Sequence, residues 1–231
     1  MQVVVTPTYE EMSVAAARIL SDAISAEPRL SLCLAAGNTP TGTYRELMRL
    51  HRIDNLDFSN ATFFYLDEYA GLPEDHPGRF RSYLEREFFG PAHIKAGNVH
   101  APDETYEDTI RECGGIDFLI CGIGKNGHIA FNEPGAPVDS RTRIVNLAES
   151  TIEGLRGKFS PGEVPRRAIT MGLATIMEAK HILMLASGLE KAAILSRALK
   201  GPVTTDIPAS ILQGHPKLTV LSDQEAFWRG Q

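Results

Sequence analysis

Four short polar segments of the sequence each follow an apolar, strand-like run, and their residue types could bind an anion or move a proton. The first segment is Gly37-Asn38-Thr39-Pro40, a turn that leads into a helical pattern. Free N–H groups and the helix dipole at such a turn can hold a phosphate. The segment lacks the Gly-Lys-Ser/Thr ending of a nucleotide-binding loop. An ordinary tight turn with a threonine cap explains it equally well, so both interpretations stay open.

The second segment places two carboxylates, Asp67 and Glu68, directly after the apolar run at residues 63–66. A carboxylate that is partly shielded from water can act as a general base. An aspartate at this point of a chain can equally well bond to the backbone of a turn. Asp67 is therefore a candidate base, with a structural role as the alternative.

The third segment, residues 121–135, is a long polar loop that contains Asn126, His128 and Glu133. Its glycines match the G-x-G-x-x-G dinucleotide fingerprint between positions 122 and 127. That fingerprint has to open a helix, whereas a Pro-Gly pair soon follows here. A histidine and a glutamate at the end of a strand favour acid–base catalysis, and a structural histidine is the alternative.

The fourth segment is Ser187-Gly188, a turn that leads into a helical pattern with Lys191 in its first turn. A lysine there is unfavourable against the helix dipole unless a bound anion compensates, and a solvated lysine is the alternative. Ligands of open α/β sheets bind at the carboxyl ends of the strands, so we expect the four segments to meet at one edge. Together they predict a sugar-phosphate site that requires no metal ion and no cofactor.

Short apolar runs alternate with segments of helical periodicity along the chain. Continuously apolar runs are typical of strands buried on both faces. Strands are predicted at residues 2–5, 30–35, 61–66, 116–122, 142–147, 181–186 and 218–221. Helices are predicted after a capping box at Thr8, after an N-cap at Thr39, at 79–89, 103–111, 175–179 and 189–199, and around Ile211.

This alternation predicts one α/β domain over residues 1–231, a doubly wound, mostly parallel sheet with helices on both faces. The stretch 148–165 is rich in glycine and proline. It is predicted to be either a helix followed by a mobile lid or a plain surface loop.

The composition restricts the partners and the location of the protein. The 231 residues carry a formal charge of −6, without basic clusters interleaved with aromatics, which argues against nucleic acid. No apolar run is long enough for a membrane helix, and the first residues do not resemble a signal peptide. We therefore expect a cytoplasmic protein without a membrane partner. The 3 cysteines are too few and too scattered for a disulfide framework or a zinc site.

Several motifs of the chain are shared with a known family. On these motifs the sequence resembles the glucosamine-6-phosphate deaminase (isomerase) family, which is related in fold to the 6-phosphogluconolactonases. The resemblance covers nearly the whole chain and is firmest over residues 39–223. Lactonases carry a Gly-His-Thr-Ala-Ser type of continuation in place of the Asn-Glu-Pro found here. The motifs are GNTP at 37–40, LDEYAGL at 66–72, GHIAFNEP at 127–134, SRTR at 140–143 and L-x-x-H-P at 212–216.

The resemblance implies a reaction and assigns catalytic residues to it. Glucosamine 6-phosphate and water would give fructose 6-phosphate and ammonia. His128 would help to open the sugar ring, with Glu133 assisting it. Asp67 would take the C2 proton and return it to C1. Asn126 stands where some members carry an aspartate that completes an Asp-His-Glu set, and it would orient the imidazole without adding charge.

The resemblance also implies how the phosphate is held. Gly37, Asn38, Thr39 and Lys191 would bind it. A further phosphate-binding arginine of the family aligns near Arg156–Lys158, but the register there is uncertain and no residue is assigned to it. Galactosamine 6-phosphate is an alternative substrate, lactone hydrolysis an alternative reaction, and a non-catalytic sugar-phosphate sensor an alternative function. The protein is expected to be a monomer or a small homo-oligomer.

Overall fold

The computed structural model describes residues 1–160 and 162–227, so position 161 of the predicted lid lies outside the described residues. Seven strands form one sheet in which every neighbouring pair is parallel. They are β1 (Gln2–Thr6), β2 (Ser31–Leu34), β3 (Thr62–Tyr65), β5 (Val99–His100), β6 (Phe118–Gly122), β9 (His181–Ala186) and β10 (Leu218–Asp223). Their order across the sheet is β1-β10-β9-β6-β2-β3-β5, as expected for a doubly wound fold.

Helices cover both faces of this sheet because successive strand side chains point to opposite sides. The helices are α1 (Tyr9–Ala26), α2 (Asn38–Asp54), α3 (Phe80–Leu84), α4 (Tyr106–Glu112), α5 (Glu149–Leu155), α6 (Leu173–Met177) and α7 (Ala192–Lys200). On β2, Leu32 and Leu34 pack against α1 and α2, whereas Cys33 packs toward α4, α6 and α7. Two buried clusters result, one on each face, and the predicted architecture is confirmed. Within the described ranges, no helix is both long and apolar enough to cross a bilayer.

Short turns of other helical types complete several of these elements. A π-helical turn, Glu85–Phe89, continues α3 and completes the helix predicted at 79–89. A 3-10 turn, Leu189–Lys191, leads into α7, and another, Pro208–Gly214, forms the helical segment predicted around Ile211.

A second sheet, which the sequence pattern does not predict, packs beside the first. It is antiparallel, with the order β4 (Asp67–Tyr69), β8 (Arg167–Thr170), β7 (Arg143–Asn146). The strand predicted at 142–147 is therefore confirmed as β7 but belongs to this small sheet. An aromatic cluster lies on the sheet, with the Tyr69 ring centroid 4.5 Å from Phe80 and 5.5 Å from Phe159.

The starts of the first two helices test the capping predictions. The Thr8 hydroxyl accepts a hydrogen bond from the Glu11 N–H at 3.2 Å, so the predicted cap of α1 is confirmed. The predicted cap at Thr39 is wrong, because α2 begins earlier, with Gly37 as its N-cap. Gly37 has φ +133°, a conformation that favours glycine, and no side chain caps the helix. The first N–H groups of α2 are thus left without a side-chain partner.

We expect Gly172→Ala to destabilise the protein by about 1–3 kcal/mol, because a Cβ atom there would overlap the backbone carbonyl of Ser140. Gly154 provides a matched control within α5, since a Cβ atom added there would meet no other atom within 4 Å. Alanine at position 154 should stabilise the protein by about 0.5–1 kcal/mol. Urea unfolding of both variants measures the difference, and equal free energies of unfolding would contradict this packing.

Candidate active site

The four polar segments leave the sheet at one edge. The strands β9, β6, β2 and β3 are neighbours in this order, and all of them are parallel. Their carboxyl ends lead to the turn at Ser187-Gly188, the loop after Gly122, the turn at Gly37, and Asp67, respectively. The predicted convergence of the four segments is therefore confirmed by the strand order.

The Asp67 carboxylate is buried, with 7% of the residue exposed. Within the part of the chain that the structure describes, neither a hydrogen-bond donor nor a cation contacts this carboxylate. Burial, together with the negative charge of Glu68, raises the pKa of Asp67 to about 8. The alternative interpretation, an aspartate that bonds to a turn, is wrong. A group of this kind can accept a proton near neutral pH.

The neighbouring Glu68 carboxylate, by contrast, has several partners. It accepts hydrogen bonds from the N–H groups of Phe80 and Arg81, each at 3.0 Å, and lies 3.3 Å from Nε of Arg79. These are the first residues of α3 and the residue before it, so Glu68 ties β4 to the start of that helix. Glu68 therefore has a structural role, and it fixes the strand that carries Asp67.

His128 and Glu133 form a hydrogen-bonded pair in the loop after β6. Nδ1 of His128 lies 3.2 Å from Oε2 of Glu133. Burial acts to raise the pKa of Glu133, but hydrogen bonds from His128, Thr151 and Asn126 outweigh it and lower the pKa to about 2. Glu133 is therefore ionised at neutral pH and can accept a proton in a hydrogen bond from Nδ1. Nε2 of His128 then remains as the atom that can exchange a proton.

The turn that holds His128 depends on close backbone packing. The side chain of His128 is 24% exposed. The imidazole ring lies directly against Gly124, where a Cβ atom would overlap the ring. The Gly124 N–H donates to the His128 carbonyl at 2.9 Å. The chain does not continue as a helix after Gly127, so the glycine pattern does not open the helix that a dinucleotide fingerprint requires.

Asn126 contacts the glutamate rather than the imidazole. Its Nδ2 donates to Oε2 of Glu133 at 2.7 Å, and its Oδ1 accepts from the backbone N–H of His128 at 3.2 Å. The expectation that Asn126 orients the imidazole directly is thus corrected. Its amide orients the carboxylate that in turn faces the ring, because an amide group offers both a donor and an acceptor.

The small sheet connects Asp67 with the His128 loop. Asp67 pairs with Thr170 across β4 and β8, and the Thr170 hydroxyl accepts from the Phe131 N–H at 3.0 Å. The buried Asn132 donates to the Met171 carbonyl at 2.8 Å and accepts from Arg143 at 3.0 Å. Strand β8 therefore holds both Asp67 and the His128 loop in place.

A cleft of about 330 Å³ opens beside the Gly37 turn. Asn38, Thr39 and Lys191, three of the four predicted phosphate-binding residues, line it, and Gly37 adjoins them as the cap of α2. Tyr9 and Arg45 line the same cleft and were not predicted. No sequence pattern identifies these two residues as part of a site, because their positions on α1 and α2 become adjacent only when the two helices pack together.

Lys191 extends toward the adjacent loop of the site. Its Nζ donates to the Ile123 carbonyl at 2.8 Å. Burial lowers the pKa of Lys191, and Lys125 adds to this effect, while Glu190 opposes it. The interpretation of Lys191 as a solvated surface lysine is wrong. A partly buried cation beside uncapped N–H groups is a suitable binding site for an anion.

Arg156, in the region that aligns with a further phosphate-binding arginine of the family, does not line the cleft beside Gly37. The guanidinium of Arg156 is 60% exposed and pairs with Glu149 at 3.3 Å and Glu153 at 3.6 Å. Residues 149–155 form α5, so the first part of the predicted lid is helical. A second phosphate-binding cation from the region 156–158 stays a prediction.

An open α/β sheet with an anion cleft and an acid–base pair at its carboxyl edge is the architecture of an enzyme that acts on a small anionic substrate. The family model of glucosamine-6-phosphate isomerases/6-phosphogluconolactonase matches residues 7–221, and the chain belongs to this family. Across residues 1–160 and 162–227, no group of three or more metal-binding side chains comes together.

Individual relatives are similar along almost their entire length. The glucosamine-6-phosphate deaminase of Thermoanaerobacter pseudethanolicus is 44% identical over 237 residues, which cover 98% of this chain and 94% of the relative. Glucosamine-6-phosphate deaminase 2 of Bacillus subtilis is 44% identical over 240 residues, covering 98% and 96%. A solved structure of a monomeric glucosamine-6-phosphate deaminase has a TM-score of 0.95 at 43% identity, covering 98% of both chains. The 6-phosphogluconolactonase of Trypanosoma brucei shares the fold, with a TM-score of 0.79 at 22% identity over 97% of both chains.

We expect Asp67→Asn to be more stable than the unmodified protein, by a margin that grows with pH. The folded protein holds the pKa of Asp67 at about 8, above its ordinary value of 3.8. The unfolded chain therefore loses this proton first, and folding stability falls as the pH rises from about 4 to about 8. Asparagine does not titrate, so the margin should approach about 6 kcal/mol above that window.

Urea unfolding at pH 5 and pH 8.5 measures this margin. Asp75 is exposed, and Asp75→Asn serves as the control without a buried carboxylate. A margin between Asp67→Asn and the unmodified protein that is equal at both pH values would show that Asp67 is not held without a partner in the folded protein.

Proposed function

We propose that this protein is a glucosamine-6-phosphate deaminase that converts glucosamine 6-phosphate and water to fructose 6-phosphate and ammonia. The observation that carries the proposal is the buried Asp67 carboxylate, which has no partner among the described residues and lies at the same sheet edge as the His128–Glu133 pair. Relatives of this name, 44% identical over 98% of the chain, support it.

Binding of the phosphate comes first. The uncapped N–H groups at the start of α2 and the ammonium group of Lys191 hold it in the cleft beside Gly37. Asn38 and Thr39 contribute further polar groups there. When the phosphate is bound in this cleft, C1 and C2 of the sugar can reach the acid–base residues, which lie at the neighbouring strand ends.

Ring opening is the task of His128. Nε2 of its imidazole moves a proton from the anomeric hydroxyl to the ring oxygen, which breaks the C1–O5 bond and gives the open aldehyde. Glu133 stabilises the imidazole from the Nδ1 side, and Asn126 holds Glu133 in place. An ionised carboxylate that is hydrogen-bonded to a histidine is a common means of orienting a catalytic imidazole.

Proton transfer between C2 and C1 is the task of Asp67. Its carboxylate removes the C2 proton to give an enolamine, and the resulting acid returns the proton to C1, so that an imine remains at C2. Water adds to this carbon, and ammonia leaves to give the ketose. The positive amino group of the substrate favours the ionised form of Asp67, which counteracts its raised pKa.

Two alternative substrates have to be weighed against glucosamine 6-phosphate. Galactosamine 6-phosphate differs only at C4, and a lactone would require hydrolysis in place of proton transfer. The Phe131-Asn132-Glu133 sequence argues against the lactone, because Glu133 is bound to His128 and the Asn132 amide donates to the backbone carbonyls of Ile129 and Met171. A non-catalytic sensor would not need the costly burial of Asp67.

The proposal also covers the location of the protein, its cofactors, its partners and its oligomeric state. We propose a cytoplasmic enzyme that uses no metal ion or cofactor, acts on a small sugar phosphate and binds no nucleic acid, with one domain over residues 1–231. It is a monomer or a small homo-oligomer, and the relative of TM-score 0.95 is a monomeric deaminase. Within the stretch 148–165, the part that follows α5 acts as a lid over the bound sugar.

Ammonia release from the purified protein tests the proposed reaction. Glucosamine 6-phosphate, galactosamine 6-phosphate and 6-phosphogluconolactone are supplied separately, and ammonia or acid production is measured. Release of ammonia from glucosamine 6-phosphate with a higher kcat/KM than from its C4 epimer is the expected result. Acid production from the lactone alone would replace the deaminase by a lactonase.

We predict that Asp67→Asn lowers kcat by about 10²- to 10⁴-fold, because a positioned general base contributes that much. Exchange of the substrate C2 proton in deuterated water, followed by proton NMR, separates this step from ring opening. Asp75→Asn again serves as the control. Exchange at the unmodified rate in Asp67→Asn would assign the base to another residue.

Lys191→Ala should raise KM about tenfold to a hundredfold, since a charge-assisted hydrogen bond contributes about 1.5–3 kcal/mol. The phosphate is remote from C1 and C2, so kcat should change by less than about threefold. Steady-state kinetics measures both constants, with the exposed Lys95→Ala as the matched control. A large fall in kcat at constant KM would instead assign Lys191 to the chemical step.

A further inference from the structure

Thr151 on α5 donates a hydrogen bond from its hydroxyl to Oε1 of Glu133, at a distance of 2.6 Å. The other oxygen of that carboxylate, Oε2, faces Asn126 at 2.7 Å and Nδ1 of His128 at 3.2 Å. Each oxygen of Glu133 therefore has its own partners. The Thr151 contact is the one among these that comes from outside the His128 loop.

This division fixes the orientation of the carboxylate. A carboxylate without a partner on Oε1 can rotate about its last bond, and the direction of Oε2 then changes with it. The two partners of Oε2 lie on the same short loop as Glu133, so neither ties the carboxylate group itself to another element, although the loop is held to β8 through Phe131 and Asn126 also contacts Ser150 of α5 at 3.5 Å. The Thr151 hydroxyl supplies that external reference point.

The helix that carries Thr151 is itself anchored close to Asp67. The side chains of Ile152 and Leu155 are buried in the aromatic cluster with Tyr69, which follows Asp67 on β4. In the same cluster, Phe131 precedes Glu133 by two residues. Helix α5, strand β4 and the His128 loop thus share one packed cluster, and α5 makes polar contacts with the loop through Thr151 at 2.6 Å and through Ser150 at 3.5 Å.

We propose that Thr151 is a positioning residue for the His128–Glu133 pair, through which α5 sets the orientation of the Glu133 carboxylate. The inference rests on the proposed deaminase function for its catalytic consequence. Its geometric part does not depend on that function. In this role Thr151 acts through its hydrogen bond to Glu133 and not through contact with the substrate.

The hydroxyl also favours the ionised form of Glu133. Hydrogen bonds to a carboxylate lower its pKa, and Thr151 is one of the groups that hold the pKa of Glu133 at about 2. The groups that face Glu133 are His128 and Asn126 from its own loop and Thr151 from α5. Removing the hydroxyl therefore raises the pKa of Glu133 as well as loosening its orientation.

Three variants of the full chain test this proposal. Thr151→Val keeps the shape and removes the hydroxyl, whereas Thr151→Ser keeps the hydroxyl and removes the methyl group. Thr109→Val is the matched control, because the Thr109 hydroxyl bonds to a backbone carbonyl at the start of its own helix, α4, at 3.3 Å. Thermal unfolding of each variant shows whether the fold is retained.

Two measurements are made on each variant. Deamination of glucosamine 6-phosphate gives kcat and KM, and carbon-13 NMR of the glutamate carboxyl groups gives the pKa of Glu133. For Thr151→Val we expect kcat to fall about tenfold to a hundredfold, with KM changed less than about threefold, since a hydrogen bond to a charged group is lost. The pKa of Glu133 should rise in the same variant, while Thr151→Ser and Thr109→Val stay within about threefold of the unmodified kcat.

The outcomes separate positioning from packing. If Thr151→Ser is as impaired as Thr151→Val, the methyl group and not the hydroxyl is responsible, and the proposal is overturned. An unchanged Glu133 pKa in Thr151→Val also overturns it. If the unmodified protein releases no ammonia, the deaminase function fails, but the NMR titration still decides whether Thr151 holds Glu133.

Discussion

The Asp67 carboxylate is buried and has no hydrogen-bond or ionic partner among residues 1–160 and 162–227, and burial of this kind reduces the stability of the fold. The surrounding structure offsets this cost. Glu68, the next residue, is bound by the N–H groups of α3, and the aromatic cluster around Tyr69 packs beside the same strand. The small antiparallel sheet can thus hold Asp67 in a position that the side chain would not adopt on its own. Destabilised groups of this kind are typical of catalytic sites.

The two carboxylates of the candidate site have opposite environments. Burial without partners raises the pKa of Asp67 to about 8, whereas hydrogen bonds lower the pKa of Glu133 to about 2. Titratable groups whose pKa values are driven apart in this way take different roles in one reaction. Asp67 can gain and lose a proton, while Glu133 keeps its charge and supports His128. This contrast depends on hydrogen-bond partners that come from several elements of the fold.

Local sequence patterns are sufficient to predict six of the seven strands of the large sheet and the location of the site, whereas the two-residue edge strand β5 is missed. The continuously apolar runs that form β2, β6 and β9 are detectable without tertiary information, and parallel strands bring their ends together. The strands β4 and β8 escape prediction because they are only 3 and 4 residues long and carry polar side chains. Packing against the aromatic cluster stabilises these segments as strands, and no local sequence pattern predicts this packing.

The same distinction applies to the site residues. Asp67, His128 and Glu133 stand at strand ends or in a glycine-rich loop, where their types are informative. Thr151 lies on a helix eighteen residues after Glu133 and looks like any threonine. The predicted start of α2 is wrong because a cap at Thr39 is the usual solution, whereas Gly37 at positive φ begins the helix earlier. In these cases tertiary packing overrides the local preference.

Leu66 lies between β3 of the large sheet and β4 of the small sheet, and it is the one residue that separates these two strands along the chain. Its N–H donates to the Leu34 carbonyl of the parallel sheet at 3.1 Å, and its carbonyl accepts from the Met171 N–H beside the antiparallel sheet at 2.8 Å. Side chains alternate along an extended chain, so one residue inserted or deleted here would turn Asp67 to the opposite face. Gene variants that lengthen or shorten the chain at this junction would keep both sheets and still lose the base. Evolution can therefore change the residues around this junction more readily than the number of residues within it.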